Sequence, residues 1–552
     1  MPELRSQFKT YEGLTAPRSL LKGIGLTDED LAKPRVGVVN TWSDINPGHI
    51  HLLPVAEAVC RGVRDAGGTP FNFNGVNLCD SIGSGPYVLP SRDLLVNEIE
   101  VYAEANKVDA LVLIGTCDKV VPALLMAAGR LDLPTIIVTG GYMNTGKLNC
   151  QNVDFIDIGI NLNKLREGKI TEEYMEQLVE AACPAPGACG MMGTANSMSL
   201  MVETIGMSLP GNATTSARSE RLHEIAYDAG RQVLTLWEKG ITARKIITDA
   251  SVANAIKVCM AVGGSANTVI HIPAAATEAE LELDCSETYA EASQNIPLLI
   301  GIRPNGPHTM RDFDEAGGLP ALLSEIKDQL DLSCICVNGR TLDENVADAR
   351  NMNPVVIRSQ KNPLSSEGGL VLLKGNIAPE GTFIKLSAVP PELHTFSGIA
   401  RVFYSTMDAI NALERDEIKE HTAVFVLMQG PKGGPGSAYQ FATRLKGSTL
   451  GNTCCTITDG RLSGAAAGAC FGYLSPEAGL RGPVVAVRDG DIVEYDIGKR
   501  TINVLLPDGE IARRTAEFEL KLPKRKGFMG IYQQTVGSIL KGAVMSGDNI
   551  SH

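Results

Sequence analysis

Three consecutive positions, Cys117, Asp118 and Lys119, set a thiol, a carboxylate and an amine at the end of the apolar run Leu111-Val-Leu-Ile-Gly115. Sulfur is a soft donor suited to iron or zinc, a carboxylate is a hard donor suited to magnesium, and an adjacent amine tunes the charge of both. A second sulfur pair stands in Cys183-Pro-Ala-Pro-Gly-Ala-Cys189. Its wide spacing, across two prolines and a glycine, matches no zinc finger, whose cysteine pairs sit two to four residues apart. Cys189 also precedes an apolar helix, a place where the dipole favours a thiolate. Cys79 and Asp80 repeat the thiol-carboxylate pairing, and His49 and His51 share one side of an extended segment. Those histidines suit either a metal or the polar packing of a loop. Further along, Thr458-Asp-Gly-Arg461-Leu-Ser463-Gly464 ends a strand in a carboxylate, a guanidinium and a hydroxyl, which reads equally as a tight Asp–Arg turn or as a site. Gly430-Pro-Lys-Gly-Gly-Pro-Gly436 exposes backbone and one cation, Lys432, but lacks the Walker spacing for nucleotides.

These groups need elements to hold them, and the first third of the chain supplies a repeating pattern. Val36-Gly-Val-Val-Asn40, Pro70 to Leu78, Leu111 onward and Pro134 to Gly141 read as strands, separated by helical spacing over Val55 to Gly67, Ser91 to Asn106 and Ala123 to Arg130. Strand and helix alternating at these lengths means crossover connections and a parallel sheet. Ligands of such sheets collect beyond the carboxyl ends of the strands. That places His49, Cys79 with Asp80, and Cys117 to Lys119 on one face. Helix-rich sequence follows to about residue 350. Beyond the Asn-Pro and Ser-Gly punctuation of residues 352 to 368, hairpin-like spacing of Leu370-Val-Leu-Leu, Thr382-Phe-Ile, Thr422 to Met428, Val484-Val-Ala-Val, Asp491 to Asp496 and Thr501 to Leu506 argues a sandwich or barrel. A terminal helix near Gln533 to Met545 completes that second unit. The expected fold is α/β, with an α/β domain over residues 1–365 and a smaller β-barrel-like domain over residues 366–552.

A length of 552 residues calls for more than one core. The formal charge of −13 argues against nucleic acid, whose phosphates require a basic face. No run approaches the roughly 20 apolar residues of a membrane helix, and no secretory core opens the chain, so the cytoplasm is the expected location. Thirteen irregularly spaced cysteines fit a reducing compartment or metal binding better than a disulfide scaffold.

Taken together, Gly115-Thr-Cys-Asp-Lys119, the Cys183 to Gly190 loop, Gly430 to Gly436 and Thr458 to Gly464 resemble the signatures of the dihydroxy-acid and 6-phosphogluconate dehydratase family. Gly263-Gly-Ser-Ala-Asn267 and Leu372-Leu-Lys-Gly-Asn-Ile-Ala-Pro-Glu-Gly381 extend the resemblance over nearly the whole chain. It implies an iron–sulfur lyase, more readily 2Fe-2S than 4Fe-4S, that takes water from a dihydroxy or sugar acid with the help of Mg²⁺. It also implies a homodimer or homotetramer. By the same resemblance Cys117 and Cys189 match cluster ligands; Asp80, Asp118 and Lys119, carbamylated in relatives, match magnesium ligands; and Ser463 matches the base. A hydroxyl becomes a base only where cationic neighbours favour its alkoxide, a role for Arg461 and the metal.

Two positions depart from that pattern. The family's third cluster cysteine is Gly48 here, in Pro47-Gly48-His49, and its magnesium-binding glutamate is Tyr439. Clusters are held chiefly by thiolates. The expected outcomes are a cluster with His49 or Cys79 as substitute ligand, another metal in its place, or no metal. The departures turn the expected substrate toward a sugar acid or related catabolite rather than a branched-chain biosynthetic one. The alternative is a cluster-less relative that binds sugar acids or serves as a partner subunit. A hydrolase built on Ser463 is disfavoured, since no G-x-S-x-G elbow surrounds it.

Overall fold

The structure is a computed structural model that describes residues 2–5, 11–83, 85–166, 168–462 and 468–549. Four parallel strands, β1 (Arg35–Asn40), β2 (Thr69–Asn74), β3 (Ala110–Gly115) and β4 (Thr135–Thr139), form one sheet in the order β2-β1-β3-β4. Every residue of β3 and of the edge strand β4 is buried, so both are covered on both faces. Helices Leu52–Asp65, Pro90–Asn106 and Val120–Leu131 make the three crossovers. The chain winds outward from β1 to β2 and then returns to the other side of β1 for β3. The gap between β1 and β3 is therefore the topological switch point, where an open sheet forms its crevice. A small hairpin, β5 (Gly146–Leu148) with β6 (Gln151–Val153), leads into helices Phe155–Arg166 and Glu172–Ala182.

The second unit is a closed eight-stranded barrel. Its strands are β7 (Leu370–Gly375), β8 (Ala378–Lys385), β9 (Thr395–Phe403), β10 (Thr422–Val426), β11 (Cys455–Thr458), β12 (Cys470–Ser475), β13 (Ile492–Asp496) and β14 (Thr501–Val504), ordered β10-β11-β12-β8-β7-β14-β13-β9. Val371, Leu373, Ile384, Phe425, Ile457, Phe471, Val493 and Ile502 belong to the core that fills it, so the barrel is packed rather than hollow. Hairpin spacing anticipates antiparallel pairing, yet β9, β10, β11 and β12 pair in parallel, with helices Thr406–Glu414 and Tyr439–Gly447 as crossovers.

Two further differences have local causes. Val484-Val-Ala-Val is a 3₁₀ turn over Pro483–Ala486 and not a strand. It is buried throughout, and a short buried apolar run carries no period that separates the two. The terminal helix is Gly527–Thr535, after which Gly542 turns the chain at φ +81° into Ala543 to Met545. Tyr532, Val536, Ile539 and Ala543 pack into the core of the α/β region rather than the barrel's. Arg92 donates to the Gly542 and Ala543 carbonyls at 2.8 and 2.9 Å, which ties the C-terminal segment to helix Pro90–Asn106. Among the described residues no helix is long and apolar enough to cross a membrane.

Candidate active site

The loops beyond β1, β2 and β3 meet at the switch point. Lys119, buried at 1 % exposure, donates from Nζ to Asp80 Oδ2 at 2.9 Å and to Asp118 Oδ2 at 3.0 Å. The remaining oxygens, Asp80 Oδ1 and Asp118 Oδ1, are buried and receive no hydrogen bond from any other residue, the two carboxyls lying within hydrogen-bonding reach of each other. From the barrel side Arg461 brings Nη1 to 3.7 Å from Asp80 Oδ2. Burial alone would raise Asp80, but Lys119 and Arg461 outweigh it and hold that carboxyl below its ordinary range. Burial, reinforced by the like charge of Asp80, lifts Asp118 well above that range. Lys119 also precedes helix Val120–Leu131, whose positive end disfavours an ammonium and favours anionic groups.

The thiols lie on the β1 side of this group. The Cys117 Sγ is 3.3 Å from Asn46 Oδ1, and its thiol is pushed up by burial and then by Cys79 and Cys189. Burial pushes Cys189 up to about 12, with Cys79 and Cys183 the next contributors. The Cys183 to Cys189 loop is held by Gly187 N donating to the Pro47 carbonyl at 3.1 Å and by Met143 N donating to the Ala188 carbonyl at 2.7 Å. The expectation that a helix dipole favours the Cys189 thiolate is corrected here. The helix starts only at Thr194, and the intervening glycine turn leaves Cys189 in a buried loop where the neutral thiol is favoured. All 13 cysteines are free.

His49 does not reach out to a metal. It is fully buried, its Nδ1 lies 2.5 Å from the Thr41 carbonyl, and its Nε2 accepts from Cys117 N at 3.0 Å. Both ring nitrogens are thereby used inside the chain, with the proton on Nδ1. His51 likewise bonds the Gly140 carbonyl through Nε2 at 2.7 Å. His49 is loop packing, whereas Nδ1 of His51 is buried without a partner. Gly48, next door, faces the sulfur: a Cβ there would stand 2.5 Å from Cys117 Sγ.

The barrel face combines groups the sequence points to, Asp459, Arg461 and Tyr439, with others it does not, Glu477, Ser437 and Arg303. Asp459 does not pair with Arg461; its carboxylate accepts from Met428, Gln429 and Ala478 backbone N–H groups at 3.2, 2.9 and 3.0 Å. Glu477 accepts from Lys432 N and Gly433 N at 2.9 and 3.1 Å, which fixes the glycine-rich loop, and burial holds its acid form up to about 8. Ser437 Oγ donates to the Arg461 carbonyl at 2.9 Å, which ties the loop carrying Tyr439 to the Arg461 turn. Tyr439 stands against helix Phe155–Arg166, since a Cβ on Gly159 would lie 3.7 Å from its hydroxyl. Arg303 clamps the same polar excursion through Asp154 at 2.7 Å and Asp157 at 2.5 Å. Ser463 lies outside the described residues.

The donor set is chemically suited to both implied groups. Two carboxylate oxygens without a donor suit a hard dication, and the thiols of Cys79, Cys117 and Cys189 are of the soft donor type that iron takes. Among the described residues no three His, Cys, Asp or Glu side chains are preassembled at metal-ligating spacing.

Comparison with known proteins follows the same lines. Residues 33–345 match the model described as dihydroxy-acid/6-phosphogluconate dehydratase N-terminal, and residues 355–543 match its C-terminal counterpart. Dihydroxy-acid dehydratase 1 of Methanosarcina acetivorans is 41% identical over 540 residues, covering 96% of this chain and 98% of its own. The dihydroxy-acid dehydratase of Caldanaerobacter subterraneus subsp. tengcongensis is 43% identical over 537 residues, covering 96% of each chain. That of Acetivibrio thermocellus is 41% identical over 537 residues, covering 96% of this chain and 97% of its own.

Proposed function

The chain belongs to the dihydroxy-acid/6-phosphogluconate dehydratase family of hydro-lyases, and from that premise we propose that it converts a 2,3-dihydroxy carboxylate into a 2-keto acid by removing the C3 hydroxyl. The relatives' names direct this reading to a dihydroxy acid; sugar acids, which carry the same 2,3-diol, are the second class to be tried. The observation that carries it is the pair of buried oxygens on Asp80 and Asp118 that receive no hydrogen bond from any other residue, held beside Lys119 and Arg461 at the switch point. Residues 1–365 would supply the metal ligands and residues 366–552 would supply Arg461 and the base.

Asp80 and Asp118 would hold the magnesium ion, with Lys119 as a third ligand once carbamylated. Its place at the start of a helix supports that change, because a carbamate there is stabilised by the dipole that opposes an ammonium. Cys117, Cys189 and Cys79 would hold the iron–sulfur cluster, of the 2Fe-2S kind. Cys79 is preferred to His49 because no lone pair of His49 is free. When bound, these groups supply a Lewis acid for the departing hydroxyl and positive charge for the electrons left on the carboxylate side. Arg461 adds a fixed cation that favours the alkoxide of Ser463, two positions further on, and Ser463 takes the C2 proton. Tyr439 and helix Phe155–Arg166 would form the wall that meets the substrate's far end. The enzyme would work as a homodimer or homotetramer in the cytoplasm, where free thiols persist.

The test is anaerobic purification followed by iron and sulfide quantification and electron paramagnetic resonance, on the parent and on Cys79→Ser. The reading expects a cluster in the parent and its loss or altered signal in Cys79→Ser. Protein that stays free of iron after reconstitution would instead support a cluster-less sugar-acid binder.

A further inference from the structure

The polar excursion of residues 146–182 is a small body of its own. Val153, Met175 and Leu178 form a buried cluster apart from the main core, with Leu148, Ile158 and Leu165 packed against it. The excursion leaves the α/β region at a narrow neck, where Met143 N donates to the Ala188 carbonyl at 2.7 Å and holds its entry beside the loop of Cys189. Arg303 latches it in place. Its carbonyl accepts from Met192 N at 2.8 Å, on the Cys189 side, while its guanidinium donates to Asp154 at 2.7 Å, to Asp157 at 2.5 Å and to the Asn152 carbonyl at 3.1 Å. A planar fork shared between two carboxylates fixes direction as well as distance.

The barrel reaches this body through Tyr439. At its root, Tyr439 N donates to Ser437 Oγ at 3.2 Å, and Ser437 is bonded to the Arg461 turn, whose guanidinium faces Asp80. At its tip, the hydroxyl meets helix Phe155–Arg166, since a Cβ on Gly159 would stand 3.7 Å away, an ordinary van der Waals contact. The ring therefore spans from the wall that carries Arg461 to the wall that Arg303 latches. The shorter side chain of a glutamate would stop short of the helix.

We propose that Tyr439 sets the length of acid this site accepts: its ring, backed by helix Phe155–Arg166, blocks the far end, so the pocket takes a short 2-hydroxy acid chain and turns away the long chain of an aldonate. The inference rests on reading this pocket as the dehydratase site and adds the size of the substrate to that reading. Tyr439 is a substrate contact. Arg303, which acts through the helix, is a positioning residue.

The test is calorimetry on the anaerobically reconstituted full chain with Mg²⁺ and lactate, 2-hydroxybutyrate or 2-hydroxyhexanoate, none of which has a C3 hydroxyl to lose. Space for a single methylene is worth about 10–200-fold in discrimination. Tyr439→Ala should therefore shift the ratio of hexanoate to lactate affinity toward the long acid by about tenfold or more. Tyr439→Phe keeps the ring and should keep the parent's ratio. Arg303→Met should shift the ratio in the same direction as Tyr439→Ala, because an unlatched helix no longer backs the ring, and Arg303→Lys should recover part of it; a uniform fall in all three affinities would strip Arg303 of its positioning role. Should Arg303→Met fail to fold, the half-buried Tyr439 carries the test alone. An unchanged ratio in Tyr439→Ala, or a ratio lost in Tyr439→Phe, would overturn the proposal and leave the dehydratase reading standing, whereas a parent that binds none of the acids would overturn both.

Discussion

Gly48→Cys reverses the departure that most weakens an iron–sulfur site, and its effect should change sign with the metal. A Cβ at this position would stand 2.5 Å from Cys117 Sγ, so the sulfur must retreat by roughly 1 Å to reach van der Waals contact. The retreat breaks its contact with Asn46 Oδ1, now 3.3 Å away. Overpacking of this kind costs about 1–3 kcal/mol, and the metal-free variant should therefore unfold at lower denaturant concentration than the parent. With iron and sulfide supplied, the new thiol becomes a ligand. Iron should then be released to a chelator more slowly, by at least the roughly tenfold that an outer hydrogen-bond partner of a ligand is worth. Cys79 completes the cycle. Cys79→Ser alone should lose iron, whereas Cys79→Ser combined with Gly48→Cys should regain it, because the second thiol replaces the first. The assays are urea unfolding of metal-free protein and iron release under chelator, both anaerobic. If Gly48→Cys holds iron no longer than the parent, and Cys79→Ser holds as much as the parent, the assignment of these sulfurs is refuted.

Other outcomes follow from the same geometry. His49→Asn should leave iron content and the paramagnetic signal unchanged while lowering stability by about 1–3 kcal/mol, since the ring holds Thr41 and the Cys117 backbone and holds no metal; an altered signal on iron-loaded protein would contradict this. Lys119→Met should destabilise the metal-free protein by about 1–2 kcal/mol by leaving two half-buried carboxyls without their amine, and millimolar Mg²⁺ should recover most of the loss in a thermal melt. Lys385 is buried with no partner on Nζ, and burial lowers its pKa from 10.5 to about 8. Below pH 8 both folded and unfolded chains hold its proton, so the whole cost of the buried charge is present. From pH 8 to 10.5 the unfolded chain binds more protons, and this lysine's contribution makes stability rise with pH. Lys385→Met should remove that rise and add about 3 kcal/mol at neutral pH, as measured by urea unfolding across pH 6 to 11.

The parallel sheet was legible because its strands are continuous apolar runs spaced by helices, and those runs also point to Asp80, Cys117, Asp118 and Lys119 as strand-end groups. The barrel was legible only as a collection of strands. Its parallel half depends on which strands pair, and pairing leaves no local pattern when the crossovers are single short helices such as Thr406–Glu414. Cys189 was misplaced because Gly190-Met-Met-Gly193 postpones the helix start to Thr194, a boundary that apolar periodicity does not mark. His49 presented itself as a ligand because sequence shows an imidazole but hides the backbone N–H and carbonyl that occupy it. Long-range partners, such as Arg461 with Asp80 or Arg303 with Asp154 and Asp157, had no signal in the chain at all.

The most direct measurement is turnover by anaerobically reconstituted protein on a panel of 2,3-dihydroxy acids and aldonates, with mass spectrometry of the product. A 2-keto acid lighter than its substrate by one water, formed by the parent and abolished in Asp80→Asn, is the expected result. Iron-loaded, magnesium-supplied protein that returns every member of the panel unchanged would contradict the assignment of this pocket as a dehydratase site.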